Sequence, residues 1–138
     1  MIISNVDASG CLLTMIYSQH VGVGDMTACL GTVRDLMAVL KQGFTLLTDL
    51  TGLESMDPAC APDVGAMMDL FQAAGLDMVI RVIPDPSKDI GFAIIARFHA
   101  HPRGRTLLFE NLADAIQSLT DTIPPGAAAV APDTLAAA

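Results

Sequence analysis

The chain has 138 residues, 52% apolar but only 4% aromatic and without Trp, and its formal net charge is −8. That length suits one domain with a core of Leu, Ile, Val, Met and Ala. The negative charge argues against a nucleic-acid partner, which would call for clustered Lys and Arg.

Mean hydropathy is positive, +0.53, yet no run approaches the ~18–20 apolar residues of a membrane span. The opening residues lack the basic and apolar regions of a secretory signal, so a cytoplasmic location is expected. Cys11, Cys29 and Cys60 are widely spaced, odd in number and free of any CxxC pair. They fit neither a disulfide framework nor a zinc site and read as reduced thiols.

In chain order, Ile2–Val6 and the apolar run Cys11–Tyr17 flank a turn at Asp7–Gly10 and predict a hairpin. Gly22 and Gly24 break the chain. Asp25 is the expected N-cap of a helix to about Leu40, with Leu30, Val33, Leu36, Met37 and Leu40 on one face, Lys41 at its end and Gly43 closing it. Phe44–Leu50 predicts a buried strand closed by Thr51-Gly52.

Asp57-Pro58 is a helix start, but Pro62 sits where a helix begun at Pro58 would lose a hydrogen bond. The first turn is therefore irregular, or the regular helix starts near Pro62. That helix carries Val64, Met67, Met68 and Phe71 and stops at Gly75. Met78–Ile83 predicts a strand, Pro84–Ser87 a turn, and Ile90, Ile94 and Ile95 a helix. Arg97–Arg105 reads as a basic loop, Thr106–Phe109 as a last strand, and Asn111–Leu119 as a last helix. Strands alternating with helices imply right-handed crossovers and a mostly parallel sheet. Residues 1–119 form the expected domain, and 120–138 a flexible Pro/Ala-rich tail.

Three stretches resemble the STAS family of bacterial regulatory modules, the fold of anti-sigma-factor antagonists. Leu47-Thr48-Asp49-Leu50-Thr51-Gly52-Leu53 is similar to the family's central strand. Met56-Asp57 is similar to its strand-to-helix loop, and Leu108–Ile116 to its closing strand and helix. The resemblance implies an α/β fold, a mixed, mostly parallel sheet of four to five strands with covering helices. It further implies a cytoplasmic signalling module, not an enzyme, whose partner is an anti-sigma-factor kinase or another signalling subunit. Phosphorylatable members carry a serine in this loop, whereas Pro58, Ala59 and Cys60 stand at the corresponding positions here. The phosphoserine charge switch is therefore not expected.

On this reading a partner docks through Ser55, Asp57, Pro58, Ala59, Cys60 and Asp63, and a homodimer through the same elements is open. Cys60 lies in a helix's first turn, which lowers a thiol's pKa, but Asp57 and Asp63 flank it and act the other way; a structural thiol is favoured over a redox sensor. Arg97, Arg103 and Arg105 form a candidate anion patch. His99 and His101 supply two metal-type ligands without the rest of a site, so neither metal nor cofactor is expected. His20-Val-Gly-Val-Gly24 lacks the Gly-Lys of a phosphate loop and is rejected as one. Met15, Met26, Met37, Met56, Met67, Met68 and Met78 read as core filling. The alternative is a cavity holding an apolar or lipid-like molecule, which would make the chain a carrier or sensor.

Overall fold

The computed structural model describes residues 1–82, Ile94 and 105–122, the side chains of 121–122 excepted. Five strands form one sheet in the order β1-β2-β3-β4-β5: β1 (Ile2–Val6), β2 (Leu12–Val21), β3 (Thr45–Met56), β4 (Met78–Val82) and β5 (Arg105–Phe109). β1 runs antiparallel to β2, and every other neighbouring pair is parallel. The expected α/β architecture and opening hairpin are both present.

The hairpin turn is written in Asp7 and Gly10. Asp7 accepts the amides of Cys11 and Leu12 on one carboxylate oxygen, each at 3.1 Å, and the Ser9 hydroxyl on the other at 2.8 Å. Gly10 has φ +75°, and a Cβ there would lie 2.6 Å from the carbonyl oxygen of Val39. Both the left-handed backbone and the close approach exclude a side chain.

Helix α1 (Val23–Leu36) is capped three residues before the expected position, Asp25. Gly22 is the N-cap, and Asp25, in the first turn, reaches back to accept the Gly22 amide at 2.9 Å. The carboxylate still serves the helix start, but from the position of the reciprocal partner in a capping box. The helix also ends four residues early. Leu36, Met37 and Leu40 nonetheless pack against the core, from a turn in which the amides of Val39 and Leu40 both reach the Leu36 carbonyl. Apolar spacing alone does not distinguish that turn from helix.

The expectation that Thr51-Gly52 closes the central strand is overturned, because β3 continues to Met56. Ten residues of β2 face twelve of β3, and the pairing slips between Ile16 and Ser18 and again between Gln19 and His20. Each slip is a bulge that adds one residue to β3. At the first, Asp49 accepts both the amide (3.0 Å) and the hydroxyl (2.6 Å) of Thr51. Gly52 follows, where a Cβ would press to 3.3 Å from the Tyr17 carbonyl oxygen.

The proline conflict resolves as an irregular first turn. Pro58–Cys60 is a 3-10 turn capped by Asp57, and α2 (Ala61–Ala73) begins behind it with Pro62 in its first turn. There a missing amide costs nothing. Helix α3 (Leu112–Thr122) has Asn111 at its start, exchanging hydrogen bonds with Asp114, and runs past the expected end at Leu119. Of the helix expected around Ile90–Ile95, only Ile94 is described, and it is helical and buried. The turn at Pro84–Ser87 and residues 123–138 lie outside the described residues.

Alternation divides the sheet's side chains between two layers. Leu13, Met15, Tyr17, Leu46, Leu50, Leu53, Met56 and Val79 pack with Met26, Leu30 and Val33 of α1, with Val64, Met67, Met68 and Phe71 of α2, and with Ile94. Phe44 and Phe71 meet edge to face at 6.1 Å. Leu12, Leu47, Met78, Ile80 and Val82 face the other way, under Ala115 and Leu119 of α3.

Candidate functional site

Because β2 through β5 run parallel, their carboxyl ends share one edge of the sheet. In such folds ligand- and partner-binding loops gather there. β2 leads at this edge through Gly22 into α1, and β3 leads through Asp57 and the 3-10 turn into α2. The second bulge of β3 brings Ser55 into register with His20, and His20 Nδ1 lies 2.7 Å from Ser55 Oγ. Ser55 is half-buried and His20 exposed.

Asp57 fixes the loop in two ways. Its amide donates to the Val21 carbonyl at 2.9 Å, and one carboxylate oxygen accepts the Ala59 amide, also at 2.9 Å. Pro58 and Ala59 are thereby held out in solvent, and Pro62 is exposed one turn further on. Cys60 goes the other way and is wholly buried. Burial pushes its thiol above the ordinary range, and the carboxylates of Asp57, Asp63 and Asp25 push it further. The opposing influences named for Cys60 from sequence are therefore decided by desolvation and negative charge, and the thiol stays protonated at neutral pH.

Ser55, Asp57, Pro58, Ala59, Cys60 and Asp63 are thus brought together, with Cys60 beneath the surface the others form. Two residues that sequence reasoning did not place here join them. Asp25 arrives on α1's first turn. His20, read only as part of a rejected phosphate loop, is the next-to-last residue of β2; strand pairing across 35 positions supplies its partner, a relation no local pattern announces. Arg105 is not in a loop. It opens β5 at the opposite edge of the sheet, donates its amide to the Asp77 carbonyl and makes an exposed 3.6 Å ion pair with the Asp77 carboxylate. Arg97 and Arg103 lie outside the described residues, as do His99 and His101.

Behind the loop, β4 carries a charge inside the core. Arg81 is 1% exposed, and burial lowers its pKa to about 10, against an opposing influence from Tyr17. It remains a cation at neutral pH. Tyr17, fully buried, has its hydroxyl 3.8 Å from Met67 Sδ, and burial raises its pKa well above the ordinary value. The methionines Met15, Met26, Met56, Met67, Met68 and Met78 are all at most 3% exposed within the packed layers, as the core-filling reading expects. A recess of about 450 Å³ under the first turns of α1 shares His20 and Asp25 with this site and is further lined by Met1, Ile2, Ser4, Gln19, Ala28, Cys29 and Thr32. It is largely polar. Among the described residues no group of His, Cys, Asp or Glu could hold a metal ion, and no helix is long and apolar enough to cross a membrane.

Five strands in sequential order, an antiparallel opening pair and helices on both faces match known structures. The anti-sigma factor antagonist SpoIIAA, in its unphosphorylated form, superposes with a TM-score of 0.59 at 13% identity, over 89% of this chain and 100% of that one. The chain has the SpoIIAA-like, or STAS, fold. An uncharacterised DUF3478-family protein from Shewanella loihica, described as SpoIIAA-like, superposes at 0.58 with 18% identity, over 86% of this chain and 92% of its own. An anti-sigma factor antagonist from Mycobacterium paratuberculosis gives 0.50 at 15% identity, over 86% and 93%. No protein-family model and no curated protein sequence matches the chain. In this STAS-like frame the turn Pro58-Ala59-Cys60 offers no hydroxyl, and Ser55, two residues before Asp57, carries one instead.

Proposed function

We propose that the chain is a regulatory protein-interaction module that docks a signalling partner through Ser55–Pro62 and the start of α2. The observation that carries this reading is the convergence at one edge of the sheet of three carboxylates from separate elements, Asp25, Asp57 and Asp63, around a turn whose Pro58 and Ala59 project into solvent. A rigid, small-residue prominence ringed by negative charge suits a partner presenting Lys or Arg, because complementary charge steers encounter and fixes orientation. The shared fold supports the class of role, since two of the proteins that have it are anti-sigma factor antagonists. An anti-sigma-factor kinase or a related signalling subunit is the partner we infer. With Pro58, Ala59 and Cys60 in the turn, docking there is not released by phosphorylation of the turn itself.

The reading is tested by placing a photo-crosslinking residue at Ala59 in the native host and, as a control, at Val39, which is exposed well away from the loop. A single protein captured at Ala59, absent at Val39 and lost when Asp63→Arg is added, is the expected result. Equal capture at both positions would overturn the placement.

A further inference from the structure

The hydrogen bond between Ser55 and His20 has the distance at which a histidine serves as base to a hydroxyl nucleophile, ~2.6–3.2 Å between heavy atoms. The two side chains come from adjacent parallel strands, and β3 spends an extra residue to oppose them: Gln19 pairs with Leu53 and His20 with Ser55. His20 also lines the recess under α1, whose volume of about 450 Å³ lies within the range of small-molecule sites, ~300–1,000 Å³. The basic hydroxyl pair and the cavity therefore share one ring. The point where a Cβ would stand at Gly22 is 3.9 Å from both His20 Nε2 and Asp25 Oδ2, so both groups face this turn. Asp25 Oδ2, held by the Gly22 amide at 2.9 Å, places a carboxylate in the same recess as His20. Ser55 has room for a reagent, being half-buried beside an exposed histidine.

We infer that Ser55 is a modification site, a nucleophile activated by His20 that accepts an acyl group from a small activated carboxylic ester. In the tautomer with the proton on Nε2, the Nδ1 lone pair faces the Ser55 hydroxyl. Ser55 Oγ forms a bond to the ester carbonyl carbon while its proton passes to Nδ1. The bond from that carbon to the leaving oxygen then breaks, and the proton goes from His20 to the departing alcohol or phenol. The products are an ester at Ser55 and the free alcohol, with no change of oxidation state. The recess accommodates the acyl or alcohol part of the donor. The inference does not depend on the docking reading, because the isolated chain suffices for its test.

The test treats the purified chain at neutral pH with p-nitrophenyl acetate and, separately, with a fluorophosphonate, followed by peptide mass spectrometry. One adduct per chain at Ser55 is expected. His20→Gln, whose amide still reaches Ser55 without serving as a base, should slow labelling by about 100-fold or more, and Ser55→Ala should abolish it. Thermal melting of each variant establishes that it is folded, and the wild-type chain in urea should lose the selectivity for Ser55. Adducts at the amino terminus, lysines or Cys11 with none at Ser55 would overturn the inference. Labelling of Ser55 at an undiminished rate in folded His20→Gln would do so equally.

Discussion

The carboxylate of Asp57 both holds the turn and charges the surface, and two substitutions separate these roles. Any residue at position 57 keeps the backbone bonds to Val21 and Cys60, each 2.9 Å. What a side-chain change removes is the single bond from Oδ1 to the Ala59 amide. Asp57→Asn retains an acceptor of the same shape, so its stability should stay within a few tenths of a kcal/mol. Asp57→Arg loses the cap, at a cost of about 1 kcal/mol, which for a domain of this size lowers Tm by roughly 3–6 °C. The charge role gives a different order of effects. Removal of one charge weakens partner binding modestly, whereas reversal weakens it about tenfold or more, on the order of 1.4 kcal/mol. Calorimetric melting reads the first effect, and titration of the partner captured at Ala59 reads the second. If Asp57→Asn melts as low as Asp57→Arg, the capping argument is wrong. If Asp57→Arg binds as tightly as wild type, the docking surface lies elsewhere.

Gly10→Ala combines a left-handed φ with a 2.6 Å clash on backbone, and should cost about 2–4 kcal/mol in urea unfolding. Gly24→Ala, inside α1 with nothing within 4 Å of the new methyl, should instead stabilise by about 0.5–1 kcal/mol. Phe71→Ala removes a fully buried ring and should cost about 3–5 kcal/mol, whereas Leu108→Ala on an exposed β5 position should fall within about 0.5 kcal/mol. Tyr17 has a folded pKa above its unfolded value of 10.0, so the native state keeps a proton that the unfolded chain releases. Stability should be unaffected below that pH and fall as pH rises through it. In Tyr17→Phe the alkaline loss measured by urea midpoint should shrink, and an unchanged pH slope would refute the burial argument.

Most of the architecture was legible because the core positions repeat with the period of their element. Met78–Val82 is a short, nearly continuous apolar run, as a strand covered on both faces must be, and the spacing of Pro58 and Pro62 raises the irregular turn before α2 as one of two alternatives. The central strand shows where legibility ends. Leu46, Thr48 and Leu50 step by two, but Leu50, Leu53 and Met56 step by three while remaining in the same core layer. Without knowledge of the bulges, that change of period looks like the end of a strand. The site was half visible for the same reason. Ser55, Asp57 and Asp63 are neighbours in sequence, whereas His20 and Asp25 reach them only through pairing of β2 with β3 and the placement of α1. Arg105 escapes the sequence reading because a short strand that opens on a charged residue looks like a continuation of the basic stretch Arg97–Arg105.

The two bulges of β3 also make the length of this strand, apart from its composition, a determinant of what the protein presents. Deleting Glu54 alone would remove the second bulge and make Leu53 to Met56 a step of two, leaving Ser55 opposite His20 and Met56 opposite Val21 on the sides they already hold. Deleting one residue from the regular run Leu46–Leu50 would instead exchange the sides of the residues next to it. Single-residue changes should therefore be mild at the bulges and disruptive between them. Alignments of such sequences that place gaps freely between Asp49 and Asp57 will pair residues that point in opposite directions.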